Sequence, residues 1–486
     1  MPHSKHPIVF TLIIGLLLGL SVFAFSQPIS KKWLENQGIY FFSLENGLDV
    51  VLLEEESAGI DTAESVQRGY SSTNESVNEI VTLEPNAVLK RPSLIPLGDS
   101  AKIVYDSLNA SLKYLYFSPE SDILESFFVR LNASAKQSVR IWYYGDSQVE
   151  GDRITKELRT ELQQNFGGYG LGYIPISNPA SYTQLELENQ SDWNKYNCFQ
   201  HRKKTTHFGP SGLVFMPKDN NPRKWNAIRF KVLKSLKYRQ LSLQCATDSG
   251  YTIEWRKPKD SFWKSANRVF RQGSVNAYQI GDTALYGNVE LRCKGNGLKI
   301  FGLNFEGPSK GVYLDNFGIR GHSGDGLRAI SSSLLQQTAK AQGTGLAIFH
   351  FGNNMIPYLK SDPKSEKWVK DIFRTLFKKY RTCCPNMSFL VIGPGDMGYQ
   401  KGEDLACYAS CPILNRWLRE VAMEQGMAYF DFYQMIKDKG GILSWRSSHI
   451  ASLDGHLGPR GQKIFARELS KELLHAYEAF RLRTGG

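Results

Sequence analysis

Cysteine is scarce, at seven residues in a chain of 486, and that excludes a small disulfide-built scaffold. The odd number leaves at least one thiol unpaired or intermolecular. Cys383, Cys384, Cys407 and Cys411 stand near enough in sequence to exchange disulfide partners in an oxidising compartment. They lack the paired short spacings of a zinc site, Cys383 and Cys384 being adjacent and Cys407 and Cys411 four apart, so no metal is expected. Acidic residues are also in deficit, 47 against 59 Lys and Arg, for a net charge of +12. Such an excess favours anionic surfaces. A phosphate-cradling glycine loop is missing as well: Phe166-Gly167-Gly168-Tyr169-Gly170-Leu171-Gly172-Tyr173 follows a helical pattern instead of preceding one, and reads as a turn.

Lys5 is the one Lys or Arg ahead of the apolar run Ile8 to Phe25. Residues 1–27 read as a signal peptide or membrane anchor, with Ala24-Phe25-Ser26 as a small-residue cleavage site. An exported chain in the periplasm or cell envelope is expected, its membrane contact confined to this segment. The basic excess then points to acidic glycan, wall polymer or lipid headgroups and away from nucleic acid. The densest basic cluster, His201-Arg202-Lys203-Lys204, reads as solvated loop. Residues 28–100 read as a linker or stalk: Glu54 to Leu97 is rich in Glu, Ser, Asn and Thr with poor periodicity, and a strand is expected within Gly38 to Leu53.

The chain is too long for one compact core, and its periodicity changes twice. Residues 101–175 combine helical spacing with the apolar strand Val139 to Tyr144 and an amphipathic helix from Arg153 to Phe166. Residues 176–310 alternate with period two, as in Gln240 to Cys245 and Val289 to Cys293, and are expected to form an inserted β-sandwich. Its tryptophans Trp193, Trp225, Trp255 and Trp263 serve either as core or as sugar-stacking platforms. Residues 311–486 return to strands alternating with helices, which predicts a parallel sheet covered on both faces, with ligands bound at the carboxyl ends of its strands.

The polar motifs collect at those ends. Gly145-Asp146-Ser147 follows the first strand and adjoins a helix start, where Ser147 is either a nucleophile beside free helix N–H groups or the cap of a box completed by Glu150. Gly318-Ile319-Arg320-Gly321, Gly352-Asn353-Asn354 and Asp454-Gly455-His456 follow at later strand ends or before the last helix. His322 beside Gly321 reads as a loop residue.

In these four blocks and their order the chain resembles the SGNH, or GDSL, hydrolases. Gly145-Asp146-Ser147-Gln148-Val149-Glu150-Gly151-Asp152-Arg153-Ile154 and the insertion are similar to the peptidoglycan O-acetylesterase branch, which carries a carbohydrate-module-like insertion. The resemblance implies a flavodoxin-like three-layer α/β/α fold. It implies Ser147 as nucleophile, His456 as base, and an oxyanion hole from the Ser147 and Gly321 amides with the Asn354 side chain. The family's usual acid lies three positions before the histidine, where this chain has Leu453; Asp454 is the expected acid, with Asp431 the fallback. The implied activity is removal of acetyl groups from a glycan, most plausibly peptidoglycan, without a cofactor. An O-acetyltransferase using the same triad and a non-catalytic glycan-binding protein on the same fold are the two rival expectations.

Overall fold

The structure, a computed structural model, describes residues 93–485 with short interruptions, and the antiparallel pairs Ser43–Leu44 and Gly47–Leu48 within the strand expected at Gly38 to Leu53. The leader or anchor expected at 1–27, and most of the linker, lie outside the described residues. Among the described residues no helix is long and apolar enough to cross a membrane.

Strand β1 spans Leu115–Tyr116, β2 Ser138–Gly145, β3 Gly311–Gly318, β4 Thr344–His350, β5 Ser388–Ile392 and β6 Ala428–Phe430. β2 is apolar on both sides because both sides are covered. Val139, Ile141 and Tyr143 enter one core while Trp142 and Tyr144 enter another. The sheet order is β3-β2-β4-β5-β6-β1. The first five strands are parallel, as expected, and the short edge strand β1 runs antiparallel. Counted over the parallel strands this is the flavodoxin order, in which successive connections leave β2 towards opposite edges. The register aligns the carboxyl ends, pairing Gly145 with both Gly318 and His350, and Ile392 with both His350 and Phe430.

Helices make the outer layers. α1 (Asp99–Ala110), α2 (Glu125–Asn132) and α3 (Arg153–Phe166) precede the insertion; α4 (Ser332–Gln342), α5 (Pro363–Cys383), α6 (Ser410–Glu424), α7 (Phe432–Asp438), α8 (Gly441–Ser447) and α9 (Pro459–Thr484) follow it. α3 buries Ile154, Leu158 and Leu162 in one core beside Phe465 and Leu469 of α9. α5 buries Val369, Phe373, Leu376 and Tyr380 in the other, a spacing of three and four residues that aligns one helical face. Its start is set by Pro363 in the first turn and by Asp362, whose side chain accepts from the Ser365 amide at 2.7 Å. Each such fully buried leucine or phenylalanine contributes roughly 1.5–3 kcal/mol of transfer free energy.

The segment between α3 and β3 folds into antiparallel sheets, one running from Asn267–Gln272 to Trp193–Asn197 through Ile300–Glu306, and a four-stranded one of Asn226–Ile228, Glu290–Lys294, Thr252–Arg256 and Lys264–Ser265. At its root Arg140 of β2 donates to Asp315 of β3 at 2.7 Å and to Glu306 at the end of the last inserted strand. The Asp315 carboxylate also accepts from the Tyr173 amide at 3.0 Å.

Arg140 and Asp315 are buried, so removing one partner strands the other's charge in low dielectric. Arg140→Met is expected to lower unfolding free energy by about 3–5 kcal/mol, read by urea denaturation. A midpoint equal to that of the unaltered chain would show that the cluster does not hold this junction together.

Candidate active site

Ser147 owes its position to a turn that only glycine permits at its base. A Cβ on Gly145 would lie 2.3 Å from a methyl of Val149, because the chain folds straight back over the strand end. The Val149 and Glu150 amides both donate to the Asp146 carbonyl at 3.1 Å. Helix α3 begins only at Arg153, after Gly151 and Asp152 in left-handed backbone conformation. Asp152 is held there by Arg159 at 2.7 and 2.9 Å and by Thr155 at 2.6 Å. Ser147 is therefore not at the helix N-terminus. It caps nothing, and Glu150 pairs with Arg320 at 2.8 Å instead of closing a capping box.

The base arrives on a loop tied at its neck by the Ala451–Leu457 bridge. Inside it the Ser452 amide donates to the His456 carbonyl at 2.8 Å and the Gly455 amide to the Ser452 carbonyl at 3.0 Å. Gly455 has φ +85°, and a Cβ there would press against Asn353 and Met397 at 3.0 Å. This tight curl lets a carboxylate two positions before the histidine reach its ring. His456 Nδ1 lies 2.8 Å from Asp454 Oδ2, and His456 Nε2 lies 2.7 Å from Ser147 Oγ. Ser452 also donates to the Asp454 carboxylate. Leu453, at the family's usual acid position, packs instead near Gly398 on the hairpin Gly398–Lys401 and Asp404–Cys407.

Burial works against the charged form of His456, but the hydrogen bond and charge of Asp454, with the charge of Asp146, raise its pKa above the ordinary imidazole value. Partial desolvation opposes ionisation of Asp454, yet its bonds to His456 and Ser452 hold it at about 2. The ring is arranged to accept the serine proton at Nε2 with a carboxylate fixing Nδ1–H.

The expected oxyanion donors surround the same turn. Neither the Ser147 nor the Gly321 amide donates to another protein group among the described residues. Gly321 has φ +74°, with nothing within 4 Å of a notional Cβ. Asn354 Nδ2 donates to Asp146 Oδ2 at 2.9 Å and, at 3.3 Å, to the His322 carbonyl. Asp146 also accepts from the Gln148 amide at 2.9 Å; burial pushes its pKa up to about 6 against the pull of that bond and of His456.

Other expected residues fall elsewhere. Asp431 caps α7 through the Gln434 amide at 2.9 Å and accepts from Asn415, so it is a structural carboxylate. His322 is a core ring stacked on Phe199 at 4.9 Å, and burial lowers its pKa to about 3. All seven cysteines are free: Cys383 and Cys384 hold their sulfurs 3.7 Å apart, and Cys407 is exposed while Cys411 is buried. Trp193 and Trp255 are buried. Trp225 and Trp263 have the Arg292 guanidinium 4.1 Å from each ring, with Lys294 4.3 Å from Trp225 and Arg256 4.6 Å from Trp263, so each ring is engaged by cations. The sequence reading missed the Asp146 carboxylate as a hub and Gln148 and Arg153 as supports of the turn. Arg153 donates to the Ser147 carbonyl at 3.1 Å.

No family model matches the chain, and no curated protein matches it in sequence. In three dimensions it is similar to a solved peptidoglycan O-acetylesterase, with 17% identity and a TM-score of 0.59 over 75% of this chain and 99% of that one. An acetylxylan esterase from Geobacillus stearothermophilus matches 34% of this chain and 74% of its own, with 17% identity and a TM-score of 0.27. A second acetyl xylan esterase matches 32% of this chain and 79% of its own, with 14% identity and a TM-score of 0.25. The sheet order and the likeness to the first of these give the chain a three-layer α/β/α fold shared with that esterase.

NMR titration of the His456 ring is expected to give a pKa above the ordinary value of about 6.5. In Asp454→Asn it should fall, because the imidazolium loses both its acceptor and its counter-charge. A ring pKa unchanged by that substitution would show that Asp454 does not face His456 in solution.

Proposed function

We propose that this chain is an SGNH-type serine esterase that removes O-acetyl groups from a glycan, with peptidoglycan as the polymer, through an acetyl-serine intermediate. The single observation that carries the proposal is the continuous relay from Ser147 Oγ to His456 Nε2, 2.7 Å, and from His456 Nδ1 to Asp454, 2.8 Å. The likeness to a peptidoglycan O-acetylesterase over nearly all of that chain supports the choice of polymer. The apolar run at residues 8–25 supports action outside the cytoplasm.

In the first step His456 takes the Ser147 proton as Oγ attacks the acetyl carbonyl carbon. The carbonyl oxygen becomes an oxyanion facing the Ser147 and Gly321 amides and the Asn354 amide, whose long 3.3 Å bond to the His322 carbonyl is the contact most easily exchanged. The protonated imidazole then gives its proton to the departing sugar oxygen, and the C–O ester bond breaks to leave acetyl-Ser147. In the second step water, deprotonated by the same ring, attacks the acetyl group; acetate leaves and Ser147 is reprotonated. Asp454 stays ionised throughout, holding the ring in the reactive tautomer.

Acetate release from a small acetyl ester and from O-acetylated wall glycan tests the proposal. Ser147→Ala is expected to lower kcat by roughly 10⁶-fold. Asp454→Asn should lower it by roughly 10⁴-fold, and Asn354→Ala by about 10²–10³-fold with little change in KM. Turnover by Ser147→Ala equal to that of the unaltered chain would sink the esterase reading. Activity on the small ester with none on wall glycan would remove peptidoglycan as the substrate.

A further inference from the structure

We propose that Gln148 is a positioning residue whose side-chain amide clamps the two peptide groups flanking the base, and so holds the His456 ring against Ser147. The proposal rests on the esterase reading and adds to it a residue outside the triad and the oxyanion hole.

Gln148 follows the nucleophile directly and is buried. Its Nε2 donates to the Gly455 carbonyl and its Oε1 accepts from the Leu457 amide at 3.2 Å. One planar amide thus engages the residue before the histidine and the residue after it. A flipped amide would set N–H against N–H and carbonyl against carbonyl, so the network fixes its orientation. The backbone of Gln148 is itself anchored to Asp146 at 2.9 Å. The nucleophile's turn is therefore the fixed end of the clamp.

The loop's own bonds do not do this task. The Ala451–Leu457 bridge and the Ser452–His456 bond close the loop on itself, and the Gly398 amide ties Leu453 to the neighbouring hairpin at 2.7 Å. Among the described residues, three hydrogen bonds join the turn Gly145 to Asp152 to the loop Ala451 to Gly458. One is the reacting Ser147–His456 contact, and the other two belong to Gln148. During the reaction the serine–histidine bond is broken and remade. Over that interval the Gln148 pair is what remains, among the described residues, of the hydrogen bonds between turn and loop, and a misplacement near 1 Å costs on the order of 10²-fold in rate.

The test is a double-mutant cycle on a small acetyl ester. Gln148→Ala is expected to lower kcat on the order of 10²-fold, with KM changed by less than about two-fold. In a His456→Ala background the same substitution should cost less than about two-fold, since no tethered ring remains to be positioned. Gln148→Met, which keeps the volume and removes both bonds, replaces the alanine variant if that one fails to fold. An equal loss in both backgrounds, or a loss confined to KM, overturns the proposal, as does kcat within about two-fold of the unaltered chain when Ser147→Ala is inactive. Full activity in Ser147→Ala would instead bring down the esterase reading itself, so the two failures are distinguishable.

Discussion

The alignment of parallel strand ends on either side of β2 is the constraint from which the rest of the site follows. Gly145 lies level with Gly318 on one side and His350 on the other. Connections leaving in opposite directions open a crevice there, and the turn carrying Ser147 occupies it. The crevice is narrow. A Cβ on Gly318 would stand 2.5 Å from the Glu150 amide nitrogen, and one on Gly145 would strike Val149, so the turn fits only because both neighbours lack side chains. Gly321 and Asn354 come from the chain leaving β3 and β4, the two strands flanking Ser147. His456 alone comes from far along the sequence, which is why its loop needs ties of its own.

Two carboxylates divide the electrostatic work. Asp146 is buried and accepts from the Gln148 amide and from Asn354, tying the turn to the Asn354 side chain; burial raises its pKa to about 6. Asp454 stands at the surface with its side chain 57% exposed, and its pKa of about 2 keeps it ionised wherever a neutral histidine is useful. The Asp146 charge also contributes to raising His456. Asp146 and His456 therefore each favour the other's charged form. Protonating Asp146 turns one of its two accepting oxygens into a donor and weakens the field that favours imidazolium, so acid acts on both halves of the site through one group.

Much of this arrangement was legible in the residues. Strand β2, helix α3 and the later alternation of strands and helices stand in the apolar spacing, and Ser147, Gly321, Asn354 and His456 stand in motifs at strand ends. What was not legible depends on contacts between distant positions. Gln148 looks like an ordinary residue after a serine until Gly455 and Leu457, some three hundred positions later, fold against it. The gap between Ser147 and α3 was hidden because left-handed Asp152 is sustained by Arg159 seven residues on, not by local propensity. The shortened spacing of Asp454 and His456 looked like a defect, and the positive φ of Gly455 is what reconciles it. The tryptophans read as core or as platforms, and only register shows that Arg292 comes to lie against Trp225 and Trp263.

The insertion is bound into β2, the strand that leads to Ser147, rather than hung from it. Trp142 and Tyr144 of β2 belong to the same apolar cluster as Tyr173, Phe301 and Phe305 from the inserted sheet. The Tyr144 hydroxyl donates to the Pro210 carbonyl at 2.9 Å, and Phe317 of β3 sits between Tyr144 and Tyr173 at ring separations of 5.1 and 5.0 Å. Tyr144 is three residues before Ser147. A rotation of the inserted sheets against β2 would have to break that aromatic stack and, at the opposite end of the strand, the buried Arg140 cluster. Both ends of β2 are thus gripped by the insertion. The strand that presents Ser147 and the inserted sheet beside it therefore share one apolar core.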